Sequence, residues 1–145
     1  MIICSIFRFE AAHKLSRSYN KDCMNNIHGH SYQLKVYVDS ELDEDGMVMD
    51  FKRFKEIVRD VIKPYDHALI IDVTDPIIDK QKIPQEKLIL FGGNPTAENM
   101  ANRFVVDIYK QIRISNSIKY PEHFKVKVEL YETVDNYVST NWYKL

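Results

Sequence analysis

The segment from residue 28 to residue 39 alternates between two kinds of side chain. Successive side chains of a β-strand point to opposite faces of a sheet, so this period of two predicts a strand with one buried face. His28 and His30 begin the buried row, and Tyr37 belongs to the opposite, polar row. The rest of the buried row is apolar or aromatic: Tyr32, Leu34, Val36 and Val38.

The same period predicts three more strands, over residues 2–13, 124–132 and 137–143. His13 ends the first of them, on the same face as three apolar residues: Phe7, Phe9 and Ala11. Glu132 continues the inward row of the 124–132 strand, which consists of Phe124, Val126, Val128 and Leu130. The polar segment 14–27 is predicted to be a loop. The segment 64–95, which contains four prolines, is predicted to be a long irregular connection.

Two segments have apolar residues at helical spacing. The first follows Asp50, which can cap it, and ends before Pro64. The second follows Thr96, which can also act as a cap, and Glu98 lies in the first turn, where the helix dipole favours an acid. The element order is therefore β-β-α-α-β-β. We predict one α+β domain over residues 1–145, with an antiparallel sheet and both helices on one face.

The composition excludes several function classes. A formal net charge of −1 gives no basic excess for nucleic acid, and no apolar run is long enough to span a membrane. Motifs of phosphate-binding loops, serine hydrolases and zinc proteases are absent from the sequence. Two cysteines form no disulfide framework, and the start of the chain does not resemble a signal peptide, so a reducing cytoplasm is expected.

The three histidines His13, His28 and His30 are candidate metal ligands. Three protein nitrogens with an open fourth position are typical of a catalytic zinc site, which makes an enzyme the leading hypothesis. The alternative for His28 and His30 is a pair of ordinary polar residues at the start of a strand.

Four further residues can carry chemistry, each with a plain alternative. Cys23 is either a small half-buried residue or a thiolate whose pKa a nearby zinc would lower. His67 is a proton carrier if Asp66 orients its ring, although sequence neighbours need not touch. Glu132 is either solvated after the strand ends, or an acceptor for a cationic or amide-like ligand edge, such as the guanidine-like edge of a pterin or guanine.

Six short stretches, spread in order along the chain, resemble the family of 6-pyruvoyltetrahydropterin and 6-carboxytetrahydropterin synthases. They are residues 9–13, Cys23 with 28–30, 46–51, 66–67, 94–99 and 132–133. The resemblance implies a tunnelling fold, in which protomers join their sheets into a barrel, usually as two stacked trimers with active sites between subunits.

The resemblance also implies site roles. Zn²⁺ would bind to His13, His28 and His30, Cys23 would be the base, and Asp66 with His67 would form a proton pair. Glu132 would hold the pterin, with Thr96 and Glu98 as further substrate-binding residues. The triphosphate-binding residues are not identified by the motifs. Charge and nearness to the site suggest three candidates: Lys14, Arg17 and Lys21.

The resemblance implies a zinc-dependent lyase that acts on 7,8-dihydroneopterin triphosphate. We expect 6-carboxytetrahydropterin as the product, with acetaldehyde and triphosphate released, in the queuosine precursor route. A pyruvoyltetrahydropterin synthase is the second candidate, and a pterin-binding or structural zinc protein without turnover is the third. Cys23 stands five residues before His28, between the spacings usual in carboxy-forming and pyruvoyl-forming members, so this spacing does not decide the product. The insert at 81–93 has no predicted role.

We also expect a homo-oligomer. A four-stranded sheet with helices on one face leaves its other face and both edges open, and barrel closure removes such edges. Tyr37, Tyr131 and Tyr137 are predicted to lie on the uncovered face, as in a subunit interface. A hexamer built from trimers is the expected assembly, with a small-molecule pterin triphosphate as the substrate.

Overall fold

The computed structural model describes residues 1–80, 83, 85–115 and 123–145, with residues 79 and 80 described by their backbone alone. The strands in these ranges are β1 (Ile2–Lys14), β2 (His28–Asp39), β3 (Ala68–Asp72), β4 (Leu88–Phe91), β5 (Lys125–Tyr131) and β6 (Tyr137–Ser139). The helices are α1 (Lys21–Asn25), α2 (Phe51–Ile62), α3 (Ile77–Lys80) and α4 (Ala97–Ile114), and a short 3-10 helix spans Gln85–Lys87.

The strands form one mixed sheet in the order β4-β3-β1-β2-β5-β6. The four strands that alternation predicts are paired antiparallel, β1 with β2, β2 with β5, and β5 with β6. β3 and β4 extend the sheet on the other side of β1 as parallel strands. The α+β class is therefore confirmed, but the sheet has two more strands than expected and is not purely antiparallel.

The two additional strands lie in the segment that was predicted to be irregular. Ile70 and Ile71 are both 0% exposed, so β3 is covered on both faces and its sequence shows no alternation. β4 belongs to the insert at 81–93, of which residues 81, 82 and 84 lie outside the described residues. The loop prediction for 14–27 also missed α1, which has no buried residue and therefore no apolar stripe.

Both long helices pack against one face of the sheet, as predicted. Asp50 caps α2 by accepting a hydrogen bond from the Arg53 backbone N–H (3.0 Å), and Thr96 caps α4 by accepting one from the Asn99 backbone N–H (3.3 Å). The apolar stripes of the helices and the inward rows of β1, β2 and β5 form one continuous core. Each large side chain buried there contributes about 1.5–3 kcal/mol to folding. His13, 1% exposed, continues the β1 row beyond the apolar core.

The opposite face of the sheet carries aromatic and charged side chains. The Tyr37 hydroxyl donates a hydrogen bond to Glu129 (3.0 Å), and Lys35 donates one to the Tyr131 hydroxyl (2.9 Å). Tyr131 stacks on Tyr137 with 4.5 Å between ring centroids. The predicted placement of the three tyrosines is confirmed. Tyr37 and Tyr131 lie half-buried on this face, and Tyr137, which pairs with Tyr131 between β5 and β6, lies exposed on it. In the described part of the chain, no helix is long and apolar enough to cross a membrane.

Candidate metal centre and substrate pocket

The three predicted histidine ligands meet at one end of the sheet. His13 lies directly opposite His28 in the β1–β2 pairing, and His30 lies opposite Ala11, two residues further along the same row. The ring centroids are 4.5 to 5.2 Å apart. One ring nitrogen from each histidine lies within 4.8 Å of the other two, which is the arrangement of a set of metal ligands.

Backbone carbonyls orient two of these rings. His13 Nδ1 lies 2.9 Å from the Pro95 carbonyl oxygen, and His28 Nδ1 lies 3.2 Å from the Asn26 carbonyl oxygen. A carbonyl can only accept, so both Nδ1 atoms carry a proton and the Nε2 atoms are the nitrogens left to bind a metal. Such bonds are the usual outer-shell support for histidines that bind a metal.

The Nε2 atoms fit a metal ion. His13 Nε2 and His28 Nε2 are 2.9 Å apart, and two lone pairs at this distance repel unless a cation or a proton lies between them. His30 Nε2 is buried and has no hydrogen-bond partner among the described residues. Burial lowers the pKa of His13 and of His30, which favours the neutral imidazole that binds metals.

Glu132 also reaches this cluster. Its Oε1 lies 3.4 Å from His13 Nε2 and 3.6 Å from His30 Nε2. The residue follows β5 directly, and its backbone N–H is bound to the Asn136 carbonyl in the turn that leads to β6. The hypothesis of a fully solvated Glu132 is therefore wrong, since 29% of its side chain is exposed and its carboxylate faces the histidines.

A pocket of about 300 Å³ opens beside the histidine cluster. It contains three of the predicted substrate-binding residues, Thr96, Glu98 and Glu132, together with the ligand His13. The start of α4 forms one wall, and the turn between β5 and β6 forms another. The remaining lining residues are Leu15, Ala97, Asn136, Tyr137 and Val138.

Cys23 lies near this pocket, in α1. Its carbonyl accepts a hydrogen bond from the backbone N–H of Leu15, a pocket residue two positions after His13 (3.2 Å). Its thiol is free and partly exposed. This hydrogen bond ties α1 to the residue that follows β1, close to the end of the strand where His13 lies.

Asp66 and His67 contact each other but lie away from the cluster. His67 Nδ1 is 3.1 Å from Asp66 Oδ1. The Glu10 backbone donates to Asp66 (3.0 Å) and accepts from the His67 backbone, so the pair sits three residues before His13 along β1, about 10 Å away. The hydrogen bond from Glu10 lowers the pKa of Asp66. Across the described ranges, no hydrogen bond or ion pair joins Cys23, Asp66 or His67 to the histidine cluster.

The candidate cations for the triphosphate differ in their availability. Lys14 forms an ion pair of 2.5 Å with the buried Asp75, so the charge of Lys14 is already neutralised by this carboxylate. Arg17 and Lys21 are exposed. Arg17 also borders a second cavity of about 370 Å³, next to Asp72 and Thr74.

Some residues at the site were not identified from the sequence. The Pro95 carbonyl bonds to His13, and the Tyr32 hydroxyl lies 3.4 Å from the same ring nitrogen. Tyr32 was assigned only to the core, where it is indeed fully buried. Pro95 belongs to the sequence motif at 94–99. Only the structure, however, shows that its backbone carbonyl contacts His13, a candidate metal ligand.

The fold and the histidine cluster define a tunnelling-fold protein with a candidate metal centre, and comparison with known proteins agrees. A family model described as 6-pyruvoyl tetrahydropterin synthase matches residues 2–141. The chain is 38% identical to 6-carboxy-5,6,7,8-tetrahydropterin synthase of Aquifex aeolicus, covering 90% of this chain and 91% of the relative. It is 30% identical to the protein of the same name from Rickettsia conorii, covering 95% and 99%.

Solved structures show the same fold. A 6-pyruvoyl tetrahydropterin synthase of Plasmodium falciparum superposes with a TM-score of 0.78 at 17% identity, covering 97% of this chain and 96% of that one. The enzyme of Caenorhabditis elegans superposes with a TM-score of 0.64 at 24% identity, covering 97% and 94%. The chain belongs to the 6-pyruvoyl tetrahydropterin synthase family, as the sequence motifs predicted.

Proposed function

We propose that this chain converts 7,8-dihydroneopterin triphosphate to 6-carboxy-5,6,7,8-tetrahydropterin, with release of acetaldehyde and triphosphate, in the queuosine precursor route. The observation that carries the proposal is the meeting of three histidine nitrogens beside a pocket of about 300 Å³. The names of the Aquifex and Rickettsia relatives favour the carboxy product. The family description and the solved neighbours support 6-pyruvoyltetrahydropterin synthase as the second candidate.

Zn²⁺ is the metal we propose for His13, His28 and His30. Imidazole nitrogens suit this ion, and a three-nitrogen set leaves a position open for a substrate oxygen. When bound, the ion supplies Lewis-acid chemistry, which polarises the side-chain oxygens of the substrate and acidifies neighbouring C–H and O–H groups.

The pocket residues are proposed to hold the pterin. Glu132 accepts hydrogen bonds from the guanidine-like edge of the ring, because a carboxylate matches two parallel N–H donors. Its position between the cluster and the pocket supports this role. Thr96 and Glu98, at the start of α4, contribute the opposite wall.

Cys23 is proposed as the base, with His67 carrying the second proton and Asp66 orienting its ring. The first role is supported by the free thiol and by the backbone hydrogen bond that ties the Cys23 carbonyl to Leu15, a residue of the pocket wall. The 3.1 Å contact between His67 and Asp66 supports the second. Both cysteines are free thiols, as suits a reducing cytoplasm.

The distance between His67 and the histidine cluster supports an oligomer with shared sites. His13, His28, His30 and Glu132 meet within one chain, whereas His67 is exposed beside Glu10. The outermost strands β4 and β6 leave open sheet edges, and Leu90 on β4 is 51% exposed. We propose a hexamer built from trimers, in which His67 reaches the pocket of a neighbouring subunit.

Co-expression of two inactive variants tests this assembly. Cys23→Ala and His67→Ala chains are expected to form mixed oligomers with about one quarter of wild-type activity, since random pairing leaves that share of shared sites intact. Light scattering should show no stable monomer. The control pairs Cys23→Ala with the double variant, which lacks both groups and should recover nothing. A fully active monomer, or no recovery in mixed oligomers, contradicts the shared site.

Glu132→Gln is expected to weaken binding of a pterin such as dihydroneopterin while the zinc content stays the same. Removing the charge from a desolvated polar pair costs on the order of 2–5 kcal/mol in binding. Titration calorimetry with zinc-loaded protein measures the change. Glu129→Gln, on β5 and on the opposite face of the sheet, is the matched control and should leave pterin affinity unchanged. Unchanged affinity in Glu132→Gln refutes the pterin role, and loss of zinc instead makes Glu132 a metal ligand.

Turnover separates the enzyme from a pterin-binding protein on the same fold. Zinc-loaded protein is expected to release triphosphate from 7,8-dihydroneopterin triphosphate, and a chelator should stop the release until zinc is restored. Substrate that binds without losing triphosphate would favour the binding protein.

A further inference from the structure

Asn94 lies two residues before Thr96, the cap of α4. Both ends of its side-chain amide are hydrogen-bonded to the segment that follows β1. Its Oδ1 accepts a hydrogen bond from the Ser16 backbone N–H (2.8 Å), and its Nδ2 donates one to the Arg17 carbonyl (2.6 Å). The Ser16 hydroxyl lies 3.3 Å from Oδ1 and donates its single hydrogen to the nearer Asp72 Oδ2 (2.8 Å). The amide therefore pairs with consecutive residues of the backbone, much as a neighbouring strand would.

The main chain of Asn94 is fixed on the other side. Its carbonyl accepts hydrogen bonds from the Thr96 backbone N–H (2.8 Å) and from Asn99 Nδ2 (2.8 Å). Asn94 thus links the end of β1 to the first turn of α4. His13 is connected to both sides of this link. It lies three residues before Ser16, and its ring bonds to the carbonyl of Pro95, the residue after Asn94.

We propose that Asn94 is a positioning residue of the metal centre. It holds the Pro95 carbonyl against His13 Nδ1 and thereby sets the direction in which His13 Nε2 points toward the metal. The Pro95 contact of 2.9 Å is the shorter of the two at this nitrogen, since the Tyr32 hydroxyl lies 3.4 Å away. The same link fixes the spacing of two pocket walls, Leu15 on one side and Thr96 on the other.

This inference rests on the metal site of the proposed function, and its test needs no turnover. The Kd for Zn²⁺ is measured by competition with a chelating dye. Asn94→Ala is expected to bind zinc about 10–100-fold more weakly than the wild type, the loss typical of an outer-shell partner. Asn102→Ala is the matched control, because Asn102 is exposed on α4, and its Kd should equal that of the wild type.

A second readout separates positioning from general loosening of the fold. The visible spectrum of the Co²⁺-loaded protein reports ligand geometry, and it is expected to change in Asn94→Ala while the far-UV circular dichroism stays native. Asn94→Asp keeps the acceptor for Ser16 but loses the donor to Arg17, so its zinc affinity should fall as well. If Asn94→Ala does not fold, Asn94→Asp and Asn99→Ala, which removes only the bond to the Asn94 carbonyl, decide the question.

The outcomes are distinct. Weaker zinc binding with an altered Co²⁺ spectrum in folded Asn94 variants supports the inference. Wild-type affinity and spectrum in the folded variants overturn it while leaving the proposed function intact. A wild-type protein that binds no zinc overturns this inference together with the metal part of the proposed function.

Discussion

Replacement of His13 by alanine is expected to abolish zinc binding and turnover together. His13 is the most buried of the three ligands, and its ring is held by the Pro95 carbonyl at 2.9 Å. Its loss leaves two nitrogens, so zinc affinity should fall by more than the ~10–100-fold typical of an outer-shell change. Metal content by plasma mass spectrometry and triphosphate release from the substrate measure the two effects in one preparation.

His123→Ala is the control for this substitution, because His123 is exposed. It should retain one zinc per chain and full turnover. The metal hypothesis fails if His13→Ala keeps both its zinc and its activity, or if metal-free wild-type protein is fully active.

Cys23→Ala is expected to keep zinc and the native fold but lose about 10²–10⁴-fold in turnover, the usual contribution of a positioned base. Single-turnover kinetics with zinc-loaded protein measure the loss. The thiol is partly exposed and packs in no core, so its removal should change stability little.

Cys4→Ala is the matched control. Cys4 lies on β1 opposite Tyr37, on the face of the sheet away from the helices, and burial raises the pKa of its thiol. It should have nearly wild-type turnover. Equal losses in the two variants, or no loss in Cys23→Ala, would mean that Cys23 is not the base.

The histidine cluster could be predicted from the sequence because its geometry is local. His28 and His30 are two residues apart in a strand whose alternation fixes their common face. The position of His13 opposite His28 depends on the β1–β2 register, which no single segment encodes. The contact of Glu132 with the cluster depends on the pairing of β5 with β2, almost a hundred residues apart in sequence.

The surroundings of Asp66 and His67 could not be predicted for a different reason. They precede β3, a strand that is buried on both faces and pairs parallel to β1, so it lacks the period of two that revealed the other strands. The prolines and glycines of the 64–95 segment indicated turns instead. The position of the pair beside Glu10 therefore emerged only from the assembled sheet.

Mass analysis of the products formed from 7,8-dihydroneopterin triphosphate tests the central claim most directly. Zinc-loaded wild-type protein is expected to yield 6-carboxy-5,6,7,8-tetrahydropterin with one acetaldehyde and one triphosphate per turnover. A pterin that retains its three-carbon side chain as a pyruvoyl group, with no acetaldehyde, would contradict the carboxy-forming assignment, and unchanged substrate would contradict the enzyme itself.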